Sequence, residues 1–245
     1  MSLGEHLVEL RKRLMRSALA VLLFTIAGFW AAEFVWDALR TPVVAIARDH
    51  DAIINYPSIS GAFDIRIQIA LVIGIVASSP IWLYQIFAFL VPGLNRREKR
   101  YTFGFFFSAV PLFLAGCVAG WWVFPHIVEV LTSFVPKEDA SFLDAKYYLD
   151  FVLKLVLATG IAFVLPVFLV LLNFIGILRG TTILKGWRWA ILTITIFTAI
   201  ATPAADVIAM FLLAIPMIAL YFSAVGVAIV RDRIVDRRQS EALPA

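Results

Sequence analysis

Six stretches without a single Asp, Glu, Lys or Arg govern what this chain can become: residues 17–32, 67–95, 101–128, 155–178, 189–205 and 207–230. The hydrocarbon core of a bilayer is about 30 Å thick, and a helix rising about 1.5 Å per residue needs about 20 apolar residues to cross it. The first run has 16 residues and reaches Trp36 once Glu33 is placed at the interface; the fifth has 17; the other four are long enough as they stand. The chain therefore reads as an all-α polytopic membrane protein with six transmembrane helices. Its 62% hydrophobic and 16% charged residues agree, since soluble domains are about half apolar and a quarter charged. Residues 1–238 read as one integral membrane domain, with an amphipathic segment over 1–16 and six helices over about 16–230. Residues 231–245 read as a basic tail.

The cations set the orientation. Fifteen of the 21 Lys and Arg residues fall in four segments, 1–16, 96–100, 179–188 and 231–238. The alternate segments hold Arg40, Arg48, Lys137 and Lys146, and Arg66 and Lys154 lie near helix starts. Loops rich in Lys and Arg stay on the cytoplasmic side. Both termini are thus expected in the cytoplasm of a multi-pass cell-membrane protein, and an even number of spans agrees.

Leu3, Leu7, Leu10 and Leu14 make an apolar stripe on an N-terminal helix opposite Glu9, Lys12, Arg13 and Arg16. Such a helix is expected to lie along the membrane surface. Ser2 and Glu5 fit a capping box, which gives Glu5 a local task. A cleavable signal ending at Ala31-Ala32 is the rival reading, and the acids Glu5 and Glu9 count against it. The first span is expected over about 16–38, followed by an outer loop over 39–62 that holds Pro42. The second span runs from Phe63 to Pro92-Gly93, kinked at Pro80, because proline removes a helix hydrogen bond. The third runs from Tyr101 to Phe124, the acidic loop 125–147 follows, and the fourth spans Tyr148–Ile177. The fifth starts at Trp187 and Trp189. It turns tightly through Thr202-Pro203-Ala204-Ala205-Asp206 into a sixth that contains Pro216.

No Asp, Glu, Lys or Arg lies in the six runs. Proton-coupled carriers normally need one at membrane depth, so a stand-alone proton antiporter is not expected. One cysteine, Cys117, and three scattered histidines build no metal or nucleophile cluster. The reading is a non-enzyme without a cofactor and without a nucleic-acid partner; a small-molecule secondary transporter is the alternative. Two acids on the basic side lack an obvious task. Glu9 can pair with Arg13 four residues on, and Glu98 can be neutralised by Arg96, Arg97, Lys99 and Arg100. Alternatively, the two carboxylates receive two guanidinium groups, which bind carboxylate through paired charge-assisted bonds.

The segment His6-Leu7-Val8-Glu9-Leu10-Arg11-Lys12-Arg13-Leu14 resembles the N-terminal motif of the TatC family, the receptor subunit of the twin-arginine protein translocase. So do Leu83-Tyr84-Gln85 through Phe89, Pro92-Gly93-Leu94, Glu98-Lys99-Arg100, Thr202-Pro203 with Asp206, and Leu213-Ala214-Ile215-Pro216-Met217. The resemblance covers almost the whole chain. It implies a cup-shaped six-helix bundle in which Glu9 and Glu98 contact the arginine pair of a signal peptide. Leu10, Arg11, Tyr84, Gln85 and Phe89 would support that site, and Pro42 matches a functional proline. It further implies contacts of the last two helices with TatA- and TatB-type single-span subunits, self-association in the complex, and export of folded proteins driven by the proton motive force. Three departures stand out. Val164 occupies a helix-4 place where the family often has an acid or amide. Met210 stands where a glutamine is common. The 202–206 turn is one residue longer, so Thr202, Pro203 and Asp206 are the candidates for partner contact or helix capping.

Overall fold

From Glu5 to Ala27 the chain contains neither Gly nor Pro and is rich in Leu, Ala, Arg and Lys, which are strong helix formers. Nothing ends a helix there, and none ends. In the computed structural model, which describes residues 3–50, 53–55, 58–90, 96–132, 142–201 and 207–242, helix α1 runs unbroken over Leu3–His50. This corrects two expectations. The amphipathic segment is not a separate surface helix but the first turns of α1. The predicted outer loop 39–62 is helical as far as His50. The stripe Leu7, Leu10 and Leu14 is 43–66% exposed, while Glu9 and Arg13 turn toward the protein.

After the short strand β1 (Ile53–Asn55) come α2 (Gly61–Ala77) and α3 (Ser79–Leu90). The expected kink at Pro80 is a full break, with α2 and α3 bent by 54°. The proline ring has no N–H and clashes with the preceding turn, so the helix ladder is cut over residues 78–80. The Trp82 indole Nε1 takes up the Ile75 carbonyl at 2.9 Å, and α3 begins at once, with Ser78 O accepting from Ile81 N–H at 2.8 Å and from Trp82 N–H at 3.2 Å.

Helix α4 (Arg96–Thr132) carries Pro111 and Pro125 inside it and passes the expected end at Phe124. Its added turns bury Ile127 and Val128, which offsets the hydrogen bond lost at Pro125. Strand β2 (Phe142–Asp144) pairs in parallel with β1, in the register Ile53↔Phe142 and Asn55↔Asp144. This small pairing joins two segments expected to be loops. Asp144 then caps α5 (Ala145–Phe174) by accepting from Lys146 N at 2.8 Å. The buried Tyr148 hydroxyl donates to Leu39 O at 2.7 Å and ties α5 to α1 at the same end. A short helix that the sequence did not announce, α6 (Gly180–Lys185), precedes α7 (Trp187–Ala201). Helix α8 (Val207–Ala242) continues through most of the segment read as a tail.

Among the described residues, four helices are long and apolar enough to cross a membrane, the bent pair α2–α3 makes a fifth if it is taken as one span, and α7 is a shorter apolar helix. With 15 residues, α7 is about 22 Å long. Packing runs α1 on α2, α4 on α5, and α5 and α7 on α8. Lipid-embedded helices lack a hydrophobic drive toward one another and associate through close packing. Two glycines allow it. A Cβ on Gly74 would meet the Thr25 backbone N at 2.8 Å, and one on Gly116 would meet Thr159 O at 2.6 Å. Gly116 and Gly120, four residues apart, both face α5. Around them Phe87 stacks on Phe168 at 4.9 Å, and Phe113, Phe124, Leu149 and Leu155 are fully buried. Val164 lies in this core at 4% exposure, so that place is filled by packing.

Candidate functional site

Contacts bring several helix ends together at one end of the bundle. Arg13 of α1 reaches Gln85 of α3, Tyr84 packs edge-on to Phe106 of α4 at 5.7 Å, Phe105 meets Phe174 of α5 at 5.0 Å, and Phe174 meets Arg231 of α8. The motif residues of the sequence gather here.

Glu9 and Arg13 are one turn apart on α1, and each side chain is only about one-fifth exposed, at 21% and 20%. Arg13 places both Nε (3.0 Å) and Nη2 (2.6 Å) on the same carboxylate oxygen, Oε1 of Glu9. Its Nη1 donates to Gln85 Oε1 at 3.4 Å. The second carboxylate oxygen, Glu9 Oε2, is buried and has no hydrogen-bond partner among the described residues. One turn back, the His6 ring lies 4.4 Å from the Phe89 ring. The helical period thus sets His6, Glu9 and Arg13 on the α1 face that meets α3, where Gln85 and Phe89 are also one turn apart. Arg11, Lys12 and Arg16 are exposed.

Of the residues singled out in the sequence, Glu9, Gln85 and Phe89 converge. Leu10 (43% exposed), Arg11 and Tyr84 (45% exposed) lie toward the surroundings. Met210 is half-buried near the start of α8. The side chains of Glu98 and Pro42, and residues Thr202, Pro203 and Asp206, lie outside the described residues.

A second polar cluster at this end escaped the sequence reading. Asp232 accepts from the Gly180 N–H at 2.6 Å through Oδ2 and from Asn173 Nδ2 at 2.9 Å through Oδ1. Arg231 donates to Asn173 O (2.6 Å) and Phe174 O (2.9 Å), with its guanidinium 5.2 Å over the Phe174 ring. The acid caps the start of α6 and the base caps the end of α5, as the partial charges of helix termini require. So α5, α6 and α8 are fastened together, and Arg231 and Asp232 belong to the packed body rather than to a tail. The one available signal was Asn173, the sole amide in the run 155–178.

The helical bundle, with its long apolar helices and its polar residues gathered at one end, has the make-up of a multi-span membrane protein. A family model described as "Sec-independent protein translocase protein (TatC)" matches residues 5–216. The "Sec-independent protein translocase protein TatC" of Xylanimonas cellulosilytica is 45% identical over 99% of this chain and 88% of its own. The TatCy protein of Bacillus subtilis is 31% identical over 90% of this chain and 86% of its own. Two crystal structures of the twin-arginine translocase receptor TatC superpose with TM-scores of 0.79 and 0.74. They are 30% and 28% identical, over 91% and 92% of this chain and 99% and 98% of theirs. The chain belongs to the TatC family of Sec-independent protein translocase proteins, a non-enzymatic transport family whose members work in a complex with other subunits.

Proposed function

We propose that this chain is the receptor subunit of a twin-arginine translocase in the cell membrane. It has six spans, with both termini and the Glu9 end in the cytoplasm, in a cup-shaped bundle that self-associates. Glu9 and Glu98 receive the two arginines of a signal peptide, and Leu10, Arg11, Tyr84, Gln85 and Phe89 frame the peptide around them. Single-span TatA- and TatB-type subunits dock on the last two helices, with Met210, Thr202, Pro203 and Asp206 at the contact and Pro42 shaping the opposite loop. The assembly exports folded proteins at the expense of the proton motive force.

The observation that carries this reading is the buried, unpartnered Oε2 of Glu9. A shielded carboxylate oxygen without a donor is costly, by about 1–3 kcal/mol or more, and an incoming guanidinium removes that cost. Of the neighbouring cations, Arg11, Lys12 and Arg16 are exposed while Glu9 faces α3, so Arg13 is the cation on α1 that an incoming arginine meets at Glu9.

The test is binding of a fluorescent twin-arginine signal peptide to the purified protein in nanodiscs, beside a Lys-Lys control. Tighter Arg-Arg binding, weakened at least about tenfold in Glu9→Ala/Glu98→Ala, is the expected result, each charge-assisted bond being worth about 1.5–3 kcal/mol. Undiminished binding by the folded double variant rejects the site.

A further inference from the structure

We infer that Arg13 is a displaceable internal guanidinium that occupies Glu9 in the empty receptor, so that an incoming arginine must take its place and the apparent affinity of the site is set by that exchange. This rests on the reading of Glu9 as a carboxylate for the peptide's arginines. The supporting geometry is one-sided. Arg13 spends two donors on a single oxygen, Glu9 Oε1, and leaves Oε2 idle and buried. A guanidinium binds a carboxylate best as a fork, one N–H to each oxygen. The internal pair is therefore not the best pairing either group can make, and a ligand fork that spans both oxygens exceeds it.

Arg13 also has somewhere to go. Its Nη1 already leans on Gln85 Oε1 at 3.4 Å, a neutral acceptor that keeps the guanidinium hydrogen-bonded after it leaves Glu9. Exchange of one guanidinium for another conserves charge at the site. An ammonium carries the same charge on three rotatable donors without the planar fork, so it makes a weaker contact for the same displacement. The incumbent thus sets how tightly any cation binds, and the fork sets which cation binds better.

The experiment compares Arg-Arg and Lys-Lys signal peptides on wild type, Arg13→Gln, Arg13→Lys and Glu9→Gln in nanodiscs, full chain throughout. Removing the incumbent in Arg13→Gln should tighten Arg-Arg binding about three- to tenfold, in keeping with the modest worth of a partly exposed ion pair. The Lys-Lys peptide meets the same incumbent, so it should gain by the same factor or less, and the Arg-Arg to Lys-Lys affinity ratio should be kept or rise. Arg13→Lys, a weaker incumbent with charge and no fork, should tighten Arg-Arg binding by less than Arg13→Gln. A merely structural Arg13 would instead weaken both peptides. Binding lost in Glu9→Gln while Arg13→Gln binds Arg-Arg no more tightly than wild type overturns this inference and spares the receptor site. An affinity ratio that falls in Arg13→Gln also overturns it, because Arg13 would then contact the bound ligand rather than leave for it. Wild-type binding that is indifferent to Glu9→Gln removes the site and the incumbent together.

Discussion

At the scale of single residues, the hydrogen bonds of Asp232 make the sharpest claim. Asp232→Ala strands the Gly180 N–H, removes one of the two bonds that Asn173 Nδ2 donates (the other goes to Leu178 O) and frees Arg231 of its neighbour. The expected cost is about 2–4 kcal/mol, the sum of a lost charge-assisted bond and a buried donor left over. Thermal unfolding in detergent should show a lowered Tm, with Asp232→Asn between alanine and wild type because its amide oxygen still accepts one N–H. A Tm unchanged by Asp232→Ala would mean that water replaces these bonds freely. The residue scale is also where the sequence is hardest to read. The Glu9–Arg13 pair was visible, because partners four apart share a helix face. That Arg13 also touches Gln85, 72 positions away, has no local signature. Asp232 looked like one acid in a run of arginines, since its partners arrive from two other helices.

Among the helices, the contact of α4 with α5 depends on the absence of a side chain. Gly116→Leu pushes a branched chain against the backbone of Thr159, which cannot move aside as a side-chain tip can. Overpacking of this kind costs about 1–3 kcal/mol, read as a lowered melting temperature in detergent. Gly226→Ala on α8 is the matched control, since a Cβ there meets nothing within 4 Å, and inside a helix it should leave stability unchanged or raise it by up to about 1 kcal/mol. Equal melting of the two variants would refute the close approach. The helices themselves were legible, because each uncharged run had to cross lipid or be deeply buried. Their ends were not. Helix α1 outlasts its apolar run by way of a single polar amphipathic stretch, and α4 passes Pro125 because Ile127 and Val128 find a core to enter. The three-residue pairing of β1 with β2 joins segments almost 90 residues apart and has too few residues for any alternation to show.

For the whole molecule, orientation is the claim to test. Ser58→Cys, exposed beside the β1–β2 end, should react with a membrane-impermeant maleimide added outside intact cells. Lys185→Cys, exposed at the Glu9 end, should react only after the membrane is opened. The native Cys117 is buried and supplies a low background. The reverse pattern would invert the proposed topology. The charge asymmetry of the sequence anticipates this orientation, but the break between α2 and α3 has a consequence that charge does not reveal. Bending a helix ordinarily means stretching its ladder; at residues 78–80 the ladder is already severed by Pro80, and the Trp82 indole is a tether that spans the cut. The break therefore sets the line of α3, whose Leu83 and Phe87 are buried in the bundle while Gln85 and Phe89 turn to α1. One helix cut at a single place thus serves two neighbours, and α1, uninterrupted for 48 residues, is the straight edge it is laid against. The spacing between Glu9 and Gln85 is decided at the break, several residues away from either of them.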